Sequence, residues 1–322
     1  MAAIDLIIPL YNRSELIDTL VNNLEKQKFK DFRVIFVDDG STDDCYAILK
    51  ERLKSSLLKY LILQQVNQGP SAARNLGMAH ADAHWIAFMD NDDMLLPEYL
   101  EYLYRATVDK KVEMVFCHLQ MIPMGNESET IALSAGTLSV ADMTAAEAMK
   151  KHYHSWISPC CLLLNRQFIN DNNLRFDVRC RYCEDLMFIT KCIASAQRVC
   201  EVQNTLYIYF THQGSLLRSN NTEKYLNGIE GFKRLEDDLH TINNSAAELF
   251  KTMGHARFYL AILRKAALQM TWKDFRIFAK QTDTGTWYGQ ISKLPVKQKL
   301  AGNLYRISGW IFYQCVRTVF SD

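Results

Sequence analysis

The sequence predicts an α/β fold in which a doubly wound, mostly parallel sheet is followed by a helical C-terminal region. Short apolar runs rich in β-branched residues alternate with longer runs of helical periodicity through the first third of the chain. Acidic or glycine-containing segments directly follow several of these apolar runs, as they do at the ligand-binding carboxyl edge of open α/β sheets. After about Asn220 the strand patterns vanish and helical spacing continues alone.

The alternation over residues 4–109 indicates βαβ units, which build parallel sheets. Strands are predicted at Ile4–Pro9, Arg33–Val37, Tyr60–Gln65 and Trp85–Met89. Helices are predicted at Ser14–Gln27, Asp43–Lys54, Ser71–Ala79 and Pro97–Asp109. Later segments are expected to complete the same sheet, with a helix at Glu184–Ala194 and strands at Val112–Met121, Pro159–Leu164, Arg198–Glu201 and Thr205–Phe210. The polar, turn-rich Pro123–Gly136 is expected to form a loop or hairpin over one face.

The helical region is expected to begin near residue 220, which divides the chain into a sheet domain over residues 1–219 and a helical region over residues 220–322. Apolar positions at three- and four-residue spacing predict helices through Thr222–Lys280. In Leu294–Phe320, aromatic and aliphatic residues such as Trp310 stand among lysines and arginines. Such a helix could lie at a lipid interface or dock on the protein's own core, and the sequence leaves both open.

Composition narrows the class of protein. With 37 basic and 36 acidic residues, the chain carries no overall field that would recruit nucleic acid, so no nucleic-acid partner is expected. Its nine cysteines are scattered through apolar stretches without a secretory leader, which favours reduced, buried thiols over disulfides or a zinc site. No run approaches the roughly 18 apolar residues of a membrane span. We therefore expect a cytoplasmic protein that is soluble or lies on the inner face of the cytoplasmic membrane.

Two carboxylates, Asp90 and Asp92, stand directly after the apolar run 84–89. A strand that ends there would hold both acids where the backbone leaves the sheet. Mg²⁺ and Mn²⁺ take oxygen ligands and are commonly bound by one or two carboxylates together with substrate phosphates. The pair therefore suggests a metal-bound diphosphate, although the same residues could form a turn that caps a helix from Pro97.

Other strand ends add polar side chains to the same edge. Tyr11 follows the first strand and could stack on a nucleobase, or it could pack on a helix at the rim. Asp39 follows the second strand and could accept the imide proton of uracil or a ribose hydroxyl. Helix capping would use Ser41 and Asp43 and leave Asp39 facing the cleft. Arg74, in the helix after the third strand, could reach a phosphate or the metal-binding carboxylates, or remain at the surface.

Four ordered segments, IIPLYNR, VDDGSTD, NQGPSAARNLG and MDNDDMLLP, together resemble the nucleotide-binding half of the family 2 glycosyltransferases, inverting enzymes with the GT-A fold. The resemblance spans roughly residues 4–215. It implies that the donor nucleotide is bound by Pro9, Tyr11, Asp39, Arg74, Asp90 and Asn91. In this set Tyr11 and Asp39 would contact the base. Asp90 and Asp92 would form the Asp-x-Asp motif for Mn²⁺ or Mg²⁺, with Asp92 as the direct ligand and Asn91 in place of the usual Ser or Ala.

Two further segments extend the resemblance. Cys183–Phe188 looks like the family's Glu-Asp motif, which implies that Asp185 deprotonates the acceptor and that Glu184 orients it or touches the sugar. Taken alone, two acids at this place could simply stabilise a helix N-terminus. His212, which follows the last predicted strand, resembles a histidine or arginine that would complete the metal site or bind the diphosphate. Its surroundings depart from the commoner versions of that segment, and a histidine at a strand end can also be an ordinary hydrogen-bonding residue.

The resemblance implies a metal-dependent, inverting glycosyltransferase that moves a hexose or N-acetylhexosamine from a nucleotide diphosphate, with UDP as the favoured nucleotide. The acceptor would be a hydroxyl of a glycan or lipid-linked glycan in surface-polysaccharide synthesis. Residues 1–219 would carry the donor site and the chemistry, and residues 220–322 would contact the acceptor or the membrane. One alternative is a nucleotidyltransferase that builds sugar nucleotides, but such enzymes place a glycine-rich basic loop where Pro9–Asn12 stands here. The other is a non-catalytic subunit that binds nucleotide sugars.

Overall fold

The structure, a computed structural model, describes residues 2–125, 135–154, 157–211, 222–282, 288–293 and 296–319. Its strands are β1 Ile4–Leu10, β2 Phe32–Asp38, β3 Lys59–Gln64, β4 Trp85–Phe88, β5 Met94–Leu95, β6 Met114–Pro123, β7 Val140–Thr144, β8 Leu162–Asn165 and β9 Arg198–Thr211. Its α-helices are α1 Ile17–Glu25, α2 Cys45–Leu53, α3 Pro70–Ala79, α4 Tyr99–Arg105, α5 Ala145–His154, α6 Arg166–Asp171, α7 Glu184–Ser195, α8 Thr222–Ile242, α9 Asn244–Leu249, α10 His255–Gln269, α11 Trp272–Thr282, α12 Val296–Ile307 and α13 Gly309–Val319.

The strands form one sheet in the order β3-β2-β1-β4-β8-β6-β9-β5, with β7 paired to β9. β1, β2, β3 and β4 run parallel, so their carboxyl ends reach the same edge. β6 and β9 are also parallel, whereas β8 is antiparallel to β4 and β6, and β5 and β7 are antiparallel to β9. The predicted doubly wound α/β fold is confirmed. Its second half is mixed, because the strands after α4 enter the sheet in both directions.

Helices cover the parallel half of the sheet because its central strands are apolar on both faces. Nearly every residue of β1 is buried, and the charged one, Asp5, binds Arg33 at 2.7 Å near the amino end of the strands. α3 packs closely on β1 at Gly77, where a Cβ atom would lie only 2.5 Å from Ile7 Cγ2. This contact fixes the helix that carries Arg74 against the strand at the middle of the parallel half.

The later strands differ from the prediction in four places. The strand predicted at Pro159–Leu164 begins only at Leu162, because Pro159–Cys161 form a 3₁₀ helix. The predicted strand pair after residue 197 is instead the single strand β9, which follows β6 through a register shift near His118. The segment after Asp92, for which a helix-capping turn was one alternative, contains β5, in which Met94 and Leu95 pair with β9. β7 has no counterpart in the prediction, because its sequence VADMT lacks a regular alternation of apolar and polar residues.

The C-terminal region is helical where the structure describes it. α8 packs on α7, and Arg234 of α8 donates to Asp177 at 3.0 Å, just ahead of α7. The single helix predicted at Leu294–Phe320 is instead α12 and α13, which meet at Ser308.

One face of α13 is docked on the protein's own core. The Tyr313 ring lies 5.4 Å from the rings of both Trp272 and Phe275 on α11. Phe312 and Val316 are also buried. Among the described helices, none combines the length and the hydropathy that crossing a bilayer requires.

All nine cysteines are free thiols, and seven of them are buried. Cys180 and Cys183 have the Cys-x-x-Cys spacing, yet they do not form a disulfide. The Cys180 thiol instead donates to the backbone oxygen of Tyr182 at 2.9 Å, and burial raises the pKa of Cys180 to about 11.

Candidate active site

Arg74 joins two acids that lie far from each other in the sequence. Its Nη2 donates to Asp90 Oδ1 at 2.6 Å, and its Nη1 donates to Asp185 Oδ1 at 3.1 Å. The Arg74 side chain is only 4% exposed, whereas the side chains of Asp90 and Asp185 are 32% and 27% exposed. The guanidinium therefore lies beneath two carboxylates that solvent and substrate can reach.

Three elements bring these groups together: Asp90 follows β4, Arg74 lies in α3, and Asp185 lies in the first turn of α7. Asn75 fixes their spacing, because its Nδ2 donates to Phe176 O and its Oδ1 accepts from Phe176 N, each at 2.9 Å. The Phe176 ring also lies 5.3 Å from the Arg74 guanidinium, within cation–π range. The segment that leads into α7 is thus attached to α3 beside the arginine.

α7 opens with Glu184 and Asp185 after Cys183, which has a left-handed φ of 68°. Acids in the first turn favour a helix N-terminus, but their ionisation is also perturbed. Burial raises the pKa of Asp185; Arg74 opposes this shift and Asp90 adds to it. Burial, followed by the charge of Asp185, raises the pKa of Glu184 to about 7. Carboxyl groups in such surroundings are suited to accept a proton near neutral pH.

The acidic turn after β4 is held in place by β9. Asp93 is buried; its Oδ2 accepts from the Tyr207 hydroxyl at 2.6 Å and its Oδ1 accepts from Phe210 N at 3.0 Å. The Tyr207 hydroxyl in turn accepts from the backbone N–H of Asp90 at 3.3 Å. Burial, followed by the charge of Asp90, raises the pKa of Asp93 to about 8. Asp90 and Asp92 are the partly exposed carboxylates of this turn.

The turn fits a hard divalent cation. Asp90 and Asp92 supply carboxylate oxygens at the carboxyl edge of the sheet, and Asp90 already lies against the positive charge of Arg74. In the part of the chain that the structure describes, no three His, Cys, Asp or Glu side chains are grouped as a metal site. A cation bound here would take its remaining ligands from phosphate and water, as Mg²⁺ commonly does. His212, the third predicted ligand, lies outside the described residues.

The loops after β1 and β2 form another part of the same edge. Pro9 is half-buried and lies opposite Val37, and Tyr11 is 46% exposed directly after β1. Asn12 ties the two loops together, because its Oδ1 accepts from Thr42 N at 2.8 Å. The exposed Tyr11 ring is therefore carried by an anchored loop, where a flat base could stack on it.

Asp39 does not face the cleft as freely as the capping argument predicts. Its side chain is buried, its Oδ1 accepts from Gln68 N at 2.9 Å and Gln65 Nε2 at 2.6 Å, and its Oδ2 accepts from Gly69 N at 2.8 Å. Gly40, with a φ of 72°, permits this close approach, because a Cβ atom there would lie 2.8 Å from the backbone of the facing loop. Asp39 therefore shapes the loop ahead of α3. A bound base would have to share the Asp39 oxygens with the donors of that loop.

The sequence patterns missed Asp93, Tyr207, Asn75 and Phe176. Spacing alone does not say which of the three acids in residues 90–93 turns inward. A tyrosine in a buried strand needs a partner for its hydroxyl, and that need is the signal that could identify Tyr207. No local pattern signals the contact between Asn75 and Phe176, which spans 101 positions.

Comparisons with known proteins identify a family for this sequence. Residues 5–172, more than half of the chain, match the sequence profile described as Glycosyl transferase family 2. The putative glycosyltransferase EpsH of Bacillus subtilis is 27% identical over 241 residues, which are 70% of this chain and 66% of EpsH. The succinoglycan biosynthesis protein ExoO of Rhizobium meliloti is 24% identical over 238 residues, which are 71% of this chain and 67% of ExoO. About a third of each relative thus lies outside the match.

A solved structure extends the likeness to the whole length. The crystal structure of S. aureus TarS 1–349 in complex with UDP-GlcNAc superposes with a TM-score of 0.71 at 17% identity. The match covers 100% of this chain and 92% of that chain. At this identity the likeness establishes the fold, and it confirms the predicted GT-A architecture with its helical C-terminal region.

Proposed function

The chain belongs to glycosyl transferase family 2 and is therefore a glycosyltransferase, and we propose that it moves a hexose or N-acetylhexosamine from UDP with inversion at the anomeric carbon. The choice of UDP is supported by the UDP-GlcNAc bound to TarS. We propose a hydroxyl of a glycan or lipid-linked glycan as the acceptor, because one relative is named for succinoglycan biosynthesis. The nucleotidyltransferase alternative is not supported by this family membership.

The observation that supports the proposal most directly is the double contact of Arg74. One guanidinium binds both Asp90, beside the proposed metal site, and Asp185, the proposed base. A diphosphate held at the first acid would therefore lie close to an acceptor hydroxyl held at the second. Such proximity is what a direct transfer between two bound substrates requires.

The donor would lie along the carboxyl edge of β1, β2 and β4. Tyr11 would stack on the base, with Pro9, Asp39 and Asn91 around the nucleoside and Arg74 on the diphosphate side. Asp90 and Asp92 would hold Mn²⁺ or Mg²⁺, with Asp92 as the direct ligand and His212 as a further predicted ligand. Such a cation, when bound, offsets the negative charge that develops on the leaving diphosphate.

Asp185 would act as the general base. As the acceptor oxygen bonds to the anomeric carbon, its proton passes to the Asp185 carboxylate. The bond between the anomeric carbon and the diphosphate oxygen breaks, and its electron pair leaves with UDP. Attack on the face opposite the leaving group inverts the anomeric configuration in one displacement. Glu184 would orient Asp185 or contact the sugar.

The two regions of the chain would divide this work. Residues 1–219 would carry the donor site and the base, and residues 220–322 would serve the acceptor side. We propose that the reaction takes place in the cytoplasm or on the inner face of the cytoplasmic membrane.

Slow hydrolysis of nucleotide sugars tests the donor without knowledge of the acceptor. The protein is incubated with UDP- and GDP-linked hexoses and N-acetylhexosamines, with and without Mn²⁺, and the released nucleoside diphosphate is measured. We expect metal-dependent release of UDP from at least one UDP-sugar. No release from any donor, or release of pyrophosphate from UTP and a sugar phosphate, would contradict the proposal.

Two variants test the proposed residues. Asp185→Asn should bind UDP as the wild type does and lose transfer by about 10²- to 10⁴-fold, and substantial retained turnover would remove Asp185 as the base.

Asp92→Ala should weaken metal-dependent UDP binding in calorimetry, and unchanged binding would remove Asp92 as the ligand. Asp142→Asn is the matched control, because Asp142 is exposed and pairs with Lys110 instead of the site residues.

A further inference from the structure

α12 presents a large apolar face to solvent although its opposite face is packed. Val296, Leu300 and Ile307 are 84%, 63% and 73% exposed. At about 100° per residue these three side chains lie on one side of the helix. Gly302 and Tyr305, which are buried, lie on the other side. The exposed face is therefore a second apolar surface of a helix that is already docked.

Basic residues border this apolar face. Helical geometry places Lys299 and Arg306 on one flank and Lys297 on the other, and all three are exposed. Residues 271–322 contain eight Lys and Arg against three Asp and no Glu, whereas the rest of the chain has more acidic than basic residues. An apolar face with basic flanks is typical of helices that lie in the headgroup region of an anionic membrane.

A cleft beside the junction of α12 and α13 contains two further cations. Its volume is about 410 Å³, and its lining includes Trp272, Arg276, Lys280, Tyr288, Tyr305 and Gly309. Arg276 and Lys280 lie one turn apart on α11 and so project from the same side. Gly309 directly precedes Trp310, which is 52% exposed, so the cleft opens next to another apolar side chain.

We propose that α11, α12 and α13 dock the enzyme on a bilayer that contains anionic phospholipids. The apolar face of α12 and Trp310 enter the boundary between headgroups and acyl chains, Lys299 and Arg306 on the flank of that face pair with lipid phosphates, and Arg276 and Lys280 add positive charge behind it. A lipid surface matches this region better than a protein partner or a second copy, because basic side chains flank the apolar face of α12 on both sides. The link to a lipid-linked acceptor rests on the proposed function, but the docking itself does not require catalysis.

Vesicle flotation of the full chain tests the docking. We expect the protein to float with vesicles of phosphatidylcholine and phosphatidylglycerol, not with phosphatidylcholine alone, and to float less at high salt. The double substitution Lys299→Gln and Arg306→Gln should weaken binding to the anionic vesicles on the order of thirty-fold, because each basic residue near such a surface contributes separately. The double substitution Ile307→Ser and Trp310→Ser should weaken it by about ten-fold or more.

Leu57→Ser is the matched control, because Leu57 is 99% exposed and lies ahead of β3, outside the helical region. It should float as the wild type does. All variants should retain metal-dependent hydrolysis of the nucleotide sugar, which separates a failure of docking from misfolding and from a failure of the proposed function. The proposal is overturned if the wild type does not float with anionic vesicles or floats equally with neutral ones. It is also overturned if the Ile307 and Trp310 substitutions leave flotation unchanged and instead convert a dimer to a monomer.

Discussion

Arg74 and Asp185 lie 111 positions apart in the sequence and share a 3.1 Å hydrogen bond. The bond attaches the first turn of α7 to the helix that follows β3, and the second contact of Arg74, to Asp90, extends the link to the end of β4. Burial raises the pKa of Asp185 and Arg74 lowers it. Arg74 therefore both positions the proposed base and favours its ionised form.

The pH profile of transfer should reflect this environment. A base must be ionised to accept a proton, so activity is present above the raised pKa of Asp185 and is lost as the pH falls through it. Glu184, with a pKa raised to about 7, lies next to it, so the acid limb of kcat/KM belongs to the pair. We expect that limb to lie above 3.8, the ordinary value of an aspartate. A limb at or below that value would contradict the assignment of Asp185.

Arg74→Met should impair transfer and move the acid limb to higher pH. The substitution removes the cation that favours ionised Asp185 and leaves Asp90 and Asp185 facing each other. We expect a loss of about 10²-fold in kcat, comparable to the loss of one charge-stabilising donor in other enzymes. Arg33→Met is the control, because Arg33 binds the buried Asp5 at the opposite edge of the sheet. It should lower the melting temperature without moving the limb, and an unmoved limb in Arg74→Met would exclude the tuning role.

Tyr207→Phe should weaken metal-dependent UDP binding because the Tyr207 hydroxyl holds the turn that carries both proposed metal ligands. The change removes the 2.6 Å hydrogen bond to buried Asp93 and loosens the turn that carries Asp90 and Asp92. We expect a cost of about 1–3 kcal/mol in the free energy of unfolding. Affinity measured by calorimetry should fall by about 10- to 100-fold.

The control for this experiment is Tyr102→Phe, since the Tyr102 hydroxyl donates to the backbone oxygen of Gly136 at an exposed position. That variant should bind UDP normally. If Tyr207→Phe were less stable but bound UDP with unchanged affinity, Tyr207 would have only a structural role.

His152→Phe should make the fold less sensitive to acid. His152 is buried beside the Tyr153 and Phe258 rings, and burial, followed by the charge of Arg257, lowers its pKa to about 3. The unfolded chain takes up a proton near pH 6.5, so stability is complete above that pH and is lost as the pH falls toward 3, by up to about 1.4 kcal/mol per unit.

Urea unfolding at several pH values measures this effect. The phenylalanine variant should lose less stability than the wild type between neutral pH and pH 5, about the region where the unfolded histidine takes up its proton. His80→Gln, at an exposed position, should behave as the wild type does. Parallel losses in wild type and His152→Phe would show that another group controls the acid response.

The sequence was sufficient to predict that Arg74 and Asp90 lie close together. Parallel strands deliver their carboxyl ends to one edge, and the register there pairs Phe88 with Ile7, Leu10 with Asp38 and Asp38 with Gln64, which links β4 to β3. The segments that follow these strands must therefore lie near each other. Asp185 reaches the same place through the packing of α7 on α8 and on the main sheet, which no local periodicity encodes. Only the resemblance to a family linked it to the donor site.

Two other features, the identity of the buried acid after β4 and the break in the last predicted helix, were not predicted from the sequence. Asp90, Asp92 and Asp93 carry the same functional group, and only the pairing of Asp93 with Tyr207 and Phe210 decides which one is buried. The break between α12 and α13 falls at Ser308–Gly309, a dipeptide typical of turns, but the prediction followed the apolar periodicity that continues across it. Tertiary contacts thus settle details that spacing leaves equivalent.

The bridge between Asp177 and Arg234 constrains how enzymes of this shape can be recombined. Asp177 is 7% exposed, and although burial opposes it, hydrogen bonds from Arg179 and Arg234 lower its pKa to about 2. A hybrid enzyme joined near residue 220 would combine Asp177 from one parent with α8 from the other. If that α8 lacked an arginine at the position of Arg234, the buried Asp177 carboxylate would lose an ion-pair partner. A junction placed ahead of Phe176 would instead take Asp177, the helix that carries Asp185 and α8 from the same parent.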